Sequence, residues 1–420
     1  MPTAAAQQAQ RPLDALNFFL ADVRDGLGPY LAIYLLTEQK WNEASIGAVM
    51  SIAGLAGIFA QTPAGALIDV SKAKRGLVIA AAIIVAITCL VLPLFPQFWL
   101  VAATQAMAGA AAAIFAPALA AIALGIVGPR AFAVRIGRNE AFNHAGNAVS
   151  ALLAGAAAYF YGPVVVFWLL AAMAFASIFA TLAIPANAID DNMARGLADV
   201  APGSEAVAVD KASGFTVLLT CRPLLIFAVA TVLFHFSNAA MLPLVGQKLA
   251  LANPALGTTL MSACIVAAQL VMVPVAIVVG KKADVWGRKP IFAVALAVLA
   301  FRGAMYPLSD APAWLVGVQL LDGIGAGIFG AMFPLVVADL TSGTGHFNVS
   351  QGAIATAAGL GGALSTAVAG LIIVSAGYNA AFYFLAAVAG GGLLLFCLWM
   401  PETLPGRAKI AAPIKAAVPL

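Results

Sequence analysis

Acids, amides and histidines recur inside stretches otherwise built of Ala, Leu, Val and Phe, and their spacing points to proton and solute handling. The first stretch carries Asp14, Asn17, Asp22, Arg24 and Asp25, followed by Gly26-Leu27-Gly28-Pro29. Asp22 and Asp25 are three apart and share a face of a helix. Two close carboxylates repel, so one of them is a candidate proton carrier. Arg24 can instead neutralise one of them, and the plain alternative is a static ion pair. The glycines and proline that follow soften the helix, which suits a moving element.

A second constellation is Arg138-Asn139-Glu140-Ala141-Phe142-Asn143-His144-Ala145-Gly146-Asn147. Asn139, Asn143 and Asn147 are four apart, and Glu140 and His144 form a second row beside them. Amides donate and accept, so this stripe can read a polar solute. Glu140 and His144 stand at i and i+4 and can share a proton. A lone histidine there is more often a packing residue, but five polar residues on one face favour a cavity lining. In the second half the corresponding residues are His235, Asn238, Gln269, Arg302 and Asp322. Charge at membrane depth costs at least about 2.5 kcal/mol, so such residues face a cavity or a partner. Arg302 and Asp322 lie in the outer halves of neighbouring stretches and can pair. Asp322 is the coupling candidate of this half. Phe18, Phe19, Phe142, Phe234 and Phe236 flank these positions and can contact an amphiphilic solute.

The elements that must position these residues are membrane helices. The chain has 420 residues, 63% hydrophobic and 9% charged, against roughly 25% charged in soluble domains. A spanning helix needs about 20 mainly apolar residues. Twelve runs qualify, at roughly 13–36, 44–69, 76–94, 98–127, 138–161, 164–184, 222–246, 254–280, 289–308, 312–338, 347–375 and 379–400. The expected organisation is a polar tail over 1–12, a six-helix half over 13–184, a linker over 185–221, a second half over 222–400 and a tail over 401–420. Lys72, Lys74 and Arg75, then Arg130, Arg135 and Arg138, then Lys281, Lys282, Arg288 and Lys289 mark loops on one side. The positive-inside bias places that side, both termini and the linker in the cytoplasm. The net charge of +4 forms no nucleic-acid stripe. Cys89, Cys221, Cys264 and Cys397 have no metal spacing and read as core thiols. The chain shows no GxxxxGK[ST] phosphate loop, HExxH or nucleophile elbow, so neither direct ATP drive nor an enzyme is expected.

The halves echo one another. Gly280-Lys281-Lys282-Ala283-Asp284-Val285-Trp286-Gly287-Arg288-Lys289 has a looser copy in Gly65-Ala66-Leu67-Ile68-Asp69-Val70-Ser71-Lys72-Ala73-Lys74-Arg75. Gly65 and Gly280 stand 215 residues apart, as in a duplicated membrane unit. In such a turn the Asp can cap a neighbouring helix or pair with an Arg. Gln105-x3-Gly109 likewise parallels Gln319-x3-Gly323, and Gly146-x8-Gly155 parallels Gly361-x8-Gly370, small residues that permit close packing.

These loops resemble the signature between the second and third helices of each half in the major facilitator superfamily of secondary transporters. Gly280, Asp284, Gly287, Arg288 and Lys289 match it. In the first copy Gly65, Asp69, Lys74 and Arg75 match more loosely, with Lys72 where the second glycine is expected. The Gly146–Gly155 spacing is similar to the start of a fifth-helix motif of the family's exporters, with the Gly-Pro that continues the motif missing at its place and Gly162-Pro163 following shortly after. The resemblance implies an all-α membrane fold of twelve helices in two pseudo-symmetric six-helix bundles. It also implies alternating access to a central cavity, gating by the two loops, and transport of a small organic molecule. Proton-coupled efflux is the leading expectation. Proton-coupled uptake and a receptor that binds without transport are the alternatives. No cofactor is expected beyond a proton gradient. The partners expected are a small-molecule substrate, protons and the lipid bilayer, with a monomer in a bacterial inner membrane.

Overall fold

The computed structural model describes residues 4–25, 30–31, 34–35, 38–41, 43–162, 164–197, 221–252 and 257–404. Among them the regular elements are all helical. A short helix over Ala4–Gln8 precedes α1 (Gln10–Asp25), and then come α2 (Glu43–Val70), α3 (Lys74–Val91), α4 (Phe98–Ala112), α5 (Phe115–Tyr161) and α6 (Val165–Leu182). The second series is α7 (Arg222–Ala239), α8 (Met241–Ala252), α9 (Gly257–Trp286), α10 (Arg288–Met305), α11 (Pro312–Thr341) and α12 (Phe347–Trp399). Chain contacts divide into two units, Met1–Ser204 with Gly343–Thr356, and Glu205–Ser342 with Ala357–Leu420.

Nine stretches among the described residues are long and apolar enough to cross a membrane. Two of them hold two crossings each. The 61 residues of Phe98–Ala158, α4 with most of α5, would extend about 90 Å against a hydrocarbon core of about 30 Å. Its break is Gly128, at φ 69° and followed by Pro129 inside the helix. Glycine adopts this left-handed turn freely and proline opens the helix that resumes. The loop expected around Arg130, Arg135 and Arg138 is therefore a one-residue break, and all three arginines are helical. Gly377, at φ 83°, divides α12 in the same way. The first expected crossing, 13–36, lies partly outside the described residues.

The turns extend the 215-residue repeat beyond the loop signature. Gly128 and Gly343 have φ 69° and 77°, and Gly162 and Gly377 have φ 80° and 83°, each pair in that register. Helix crossings repeat too. A Cβ added at Gly109 would stand 2.5 Å from the Ala53 carbonyl oxygen, and one at Gly323 equally close to that of Ala268. In each half only the first glycine of the x8 pairs makes a close crossing. Gly146 presses on the α1 backbone at Phe18 and Gly361 on Val232, whereas Gly155 and Gly370 have open space around them.

The residues after α6 fold back onto the first unit. Asp190 caps the short helix Asp191–Ala194 by accepting from the Asn192 and Met193 amides. The Asp190 amide in turn donates to the Gly125 carbonyl at 3.1 Å.

Candidate functional site

In the first unit α1 and α5 run in register, and Gly146 sets their separation. One contact lies on either side of it. Toward the start of α1 and shortly after the Gly128 break of α5, Asp14 accepts from Arg135 Nη2 at 2.5 Å and from Arg138 Nε and Nη2 at 2.9 and 2.5 Å. Asp14 and Arg135 are buried, whereas the Arg138 side chain is 52% exposed. Arg135 also donates to Asn139 Oδ1 at 2.7 Å and to Gln10 Oε1 at 2.8 Å. One turn beyond Gly146, Ser150 Oγ donates to Asp22 Oδ2 at 2.6 Å.

The polar stripe of α5 divides between these contacts. Asn139 belongs to the Asp14 cluster, and Asn17 donates to its own helix at the Leu13 carbonyl, 2.7 Å away. Asn143 Nδ2 donates to Glu140 Oε2 at 3.4 Å, and His144 Nε2 stands 3.9 Å from the same oxygen. Asn147 Oδ1 is buried with no hydrogen-bond partner. Arg24 and Asp25 close α1, but their side chains lie outside the described residues, as does Gly26–Pro29. Gly146→Val is expected to force α1 and α5 apart and destabilise the protein by about 1–3 kcal/mol, as overpacking does. A fall in the thermal midpoint in detergent would register it, with Gly155→Val as the unaffected control.

The second unit holds a polar chain in which Arg302, Tyr306 and Gln319 are buried and Asn238 and Asp322 half-buried. Tyr306 on the turn after α10 donates to Gln319 Oε1, and Gln319 Nε2 donates to Asp322 Oδ2 at 2.9 Å. Arg302 Nη1 donates to Asp322 Oδ1. Arg302 Nη2 donates to Asn238 Oδ1 at 2.6 Å, with Met241 Sδ at 3.1 Å. Arg302 is 1% exposed. The pairing expected from sequence is thus formed, and Asn238 belongs to it. His235 Nδ1 lies 3.0 Å from the Thr231 carbonyl, and its ring packs edge-on to Phe329. Gln269 is half-buried on α9.

The two loop copies use their aspartates differently. Asp69 caps α12, accepting from the Asn348 and Val349 amides at 3.2 and 2.8 Å and from Asn348 Nδ2 at 2.8 Å. A carboxylate at a helix N-terminus satisfies orphan amides and complements the dipole. Gly65, one turn earlier, lies so close to the Asn348 backbone that a methyl group would collide with it. Lys74 pairs with Asp191 at 2.9 Å, and Arg75 donates to the last carbonyls of α6, Thr181 and Leu182. Asp284 instead accepts from Arg288 on its own turn at 2.7 Å, while Arg288 Nε donates to Asp339 at 2.9 Å. The cap of α10 is Glu402, which accepts from the Arg288 and Lys289 amides at 2.8 and 3.2 Å. Gly287 supplies the turn there, with φ 96°. Gly280 lies in α9.

Sequence reasoning missed Ser150, Asp339, Asn348 and Glu402. Each acts on a residue far away in the chain. The available signals were faint: an Asp at the end of the tenth run, and an acid just after the twelfth. Among the described residues no three His, Cys, Asp or Glu side chains are grouped to hold a metal ion.

A family model described as Major Facilitator Superfamily matches residues 14–347 and 228–420. Two Mycobacterium tuberculosis proteins, the uncharacterized MFS-type transporters MT2531 and Rv2456c, are each 60% identical over 407 residues, 97% of this chain and 96% of theirs. Among solved structures, the human organic anion transporter MFSD10 has a TM-score of 0.70 at 15% identity, covering 93% of this chain and 99% of that one. The E. coli fucose:proton symporter FucP has a TM-score of 0.71 at 14% identity, with 92% and 97% covered. The nucleoside transporter NupG has 0.64 at 14%, with 93% and 99% covered. At such identities these structures share the fold alone.

Proposed function

The chain belongs to the Major Facilitator Superfamily, and on that premise we propose that it exports a small organic solute in exchange for protons. A member of this family is a multi-pass membrane transporter and not an enzyme. The solute and the coupling ion are argued from side chains, and the direction from glycine spacing. The solved neighbours handle an organic anion, fucose with protons, and nucleosides, and do not select among these.

The observation that carries the coupling is the Arg302–Asp322 pair, in which Arg302 is buried and Asp322 half-buried. Asp322 lies ten residues into α11, about 15 Å along its axis, where a lone charge would be costly. An ionised Asp322 holds Arg302. A protonated one releases it, because arginine stays charged and acceptor-seeking. Proton binding would thereby change what holds α10 to α11. Asp22, Glu140 and Asp25 are the matching proton candidates in the first half. Asn143, His144 and Asn147 would read the solute, beside Asn17, Asn139, Arg24, His235, Asn238, Gln269 and Arg302 as wider cavity candidates. Export is supported by the Gly146–Gly155 spacing. The two loops, through Asp69 and through Asp284 with Arg288, would bias one conformational state. The lysine-bearing loops and both termini would face the cytoplasm of a bacterial inner membrane, and the protein would act as a monomer.

Purified protein in sealed liposomes with an internal pH dye tests this reading. Under an imposed proton gradient, a panel of organic anions, cations and neutral sugars should include a solute that drives proton movement in the opposite direction. Asp22→Asn or Glu140→Gln should abolish that flux for whichever carboxylate carries the proton. Solute movement without proton flux would overturn the coupling, and co-directional flux would replace export with uptake.

A further inference from the structure

We propose that the outer surface of the second unit binds an anionic phospholipid, one acyl chain lying in a groove between α9 and α10 and the phosphate at Lys282 and Trp286. The groove encloses about 400 Å³ and is lined by Pro274, Val278 and Trp286 of α9, Val294 of α10, and Ile324 and Ile328 of α11.

Its origin is the glycine pattern of α11. A Cβ at Gly323 would stand 2.5 Å from the Ala268 carbonyl oxygen, and one at Gly327 3.1 Å from Val275 Cγ1. These glycines bring α11 against α9. The chain then leaves α9 through the left-handed Gly287, and α10 diverges from it with α11 as the floor. Trp286, Val278 and Val294 remain about half exposed, at 53%, 47% and 48%.

Length and charge select the occupant. From Pro274 to Trp286 is twelve residues of helix, about 18 Å, close to the half-thickness of a hydrocarbon core of about 30 Å. The groove therefore fits one chain of one leaflet, with Trp286 at the interfacial level where its ring is favoured. Lys282 Nζ sits 5.9 Å from the Trp286 ring centroid. Among the described residues Lys281, Lys282 and Lys289 form no ion pair, while Arg288 between them is held by Asp284 and Asp339. The remaining acid, Glu402, is turned onto the Arg288 and Lys289 amides. The mouth of the groove thus keeps a positive excess that complements a headgroup phosphate without a compensating amine.

Native mass spectrometry of the purified full chain, given equimolar phosphatidylglycerol and phosphatidylcholine, tests the proposal. Phosphatidylglycerol should be retained preferentially. Each of Lys281→Gln, Lys282→Gln and Lys289→Gln should weaken the preference by up to about fivefold, the worth of one lysine near an anionic surface. Val278→Trp, which fills the groove and leaves the lysines intact, should remove the preference. Brominated phosphatidylglycerol should also quench a fluorescence component that is absent from Trp286→Phe. Equal retention of the two lipids would overturn the proposal. So would a preference surviving Val278→Trp, which would mean diffuse attraction to the surface, or a dimer occupying the groove in place of lipid.

Discussion

Asp322→Asn should abolish proton-driven accumulation while leaving solute exchange across liposomes without a gradient. One proton moving down one pH unit supplies about 1.4 kcal/mol, enough to concentrate a neutral solute about tenfold. The variant should lose that concentrating power entirely, because an amide cannot alternate between charged and neutral forms. Arg302, 1% exposed, would then be permanently without its carboxylate, as it is only transiently in the proposed cycle. Asn238 Oδ1 at 2.6 Å and Met241 Sδ at 3.1 Å would remain as acceptors beside the neutral amide oxygen. Asp322→Glu keeps the titrating group and should retain measurable coupling. Gln319→Leu removes the amide that orients Asp322 and should slow transport without uncoupling it. Accumulation by Asp322→Asn equal to that of the unaltered protein would remove Asp322 from the proton path and leave the pair a structural clamp.

The largest effect on stability is expected at Asp14. Its carboxylate is buried and accepts from two arginines. Asp14→Asn strips the partner from Arg135, 3% exposed, and breaking a buried pair in this way costs about 3–5 kcal/mol. Asn139 and Gln10 would still accept from Arg135, which places the loss toward the lower end. Arg138→Gln should cost at most about 1 kcal/mol, as for exposed ion pairs, since its side chain is 52% exposed. Asp14→Leu with Arg135→Met should recover most of the loss, because two apolar groups leave no buried charge behind. Thermal unfolding in detergent, compared across the four proteins, checks the order. Equal losses for Asp14→Asn and Arg138→Gln would show that burial does not set the energetics of this cluster.

The two loop copies illustrate how far a duplicated sequence departs from duplicated contacts. Asp69 and Asp284 hold the same register, yet Asp69 caps α12 while Asp284 pairs with Arg288 four residues on. The local difference accounts for this. Position 288 offers a guanidinium within one turn of Asp284, whereas its counterpart, position 73, is alanine. Asp69 therefore has no arginine on its own turn and is left for helix amides.

Class, helix number and repeat were legible because they depend on composition and spacing along the chain. With 63% hydrophobic residues the chain requires a bilayer as solvent, and Gly65 with Gly280 and Gly146 with Gly361, each pair 215 residues apart, mark the repeat. Single-residue breaks were not legible. Gly128 lies among charges that resemble a loop, and only its φ shows that the helix resumes at once. Function was legible to the level of a transporter, through the loop signature. Within the candidate site, Arg302 with Asp322 could be paired from sequence because both lie at one depth on adjacent helices. Asp22 with Ser150, and Glu402 with the start of α10, could not. Those pairs depend on the closeness of helix crossings at Gly146 and on how the chain returns after its last helix, and both are properties of packing. Whether each polar residue of the α5 stripe is committed to a partner, as Asn139 is to Arg135, or carries an unpartnered atom, as Asn147 does at Oδ1, was likewise decided only by the tertiary structure. Periodicity gives a side chain its face, but the neighbour across that face comes from elsewhere in the chain.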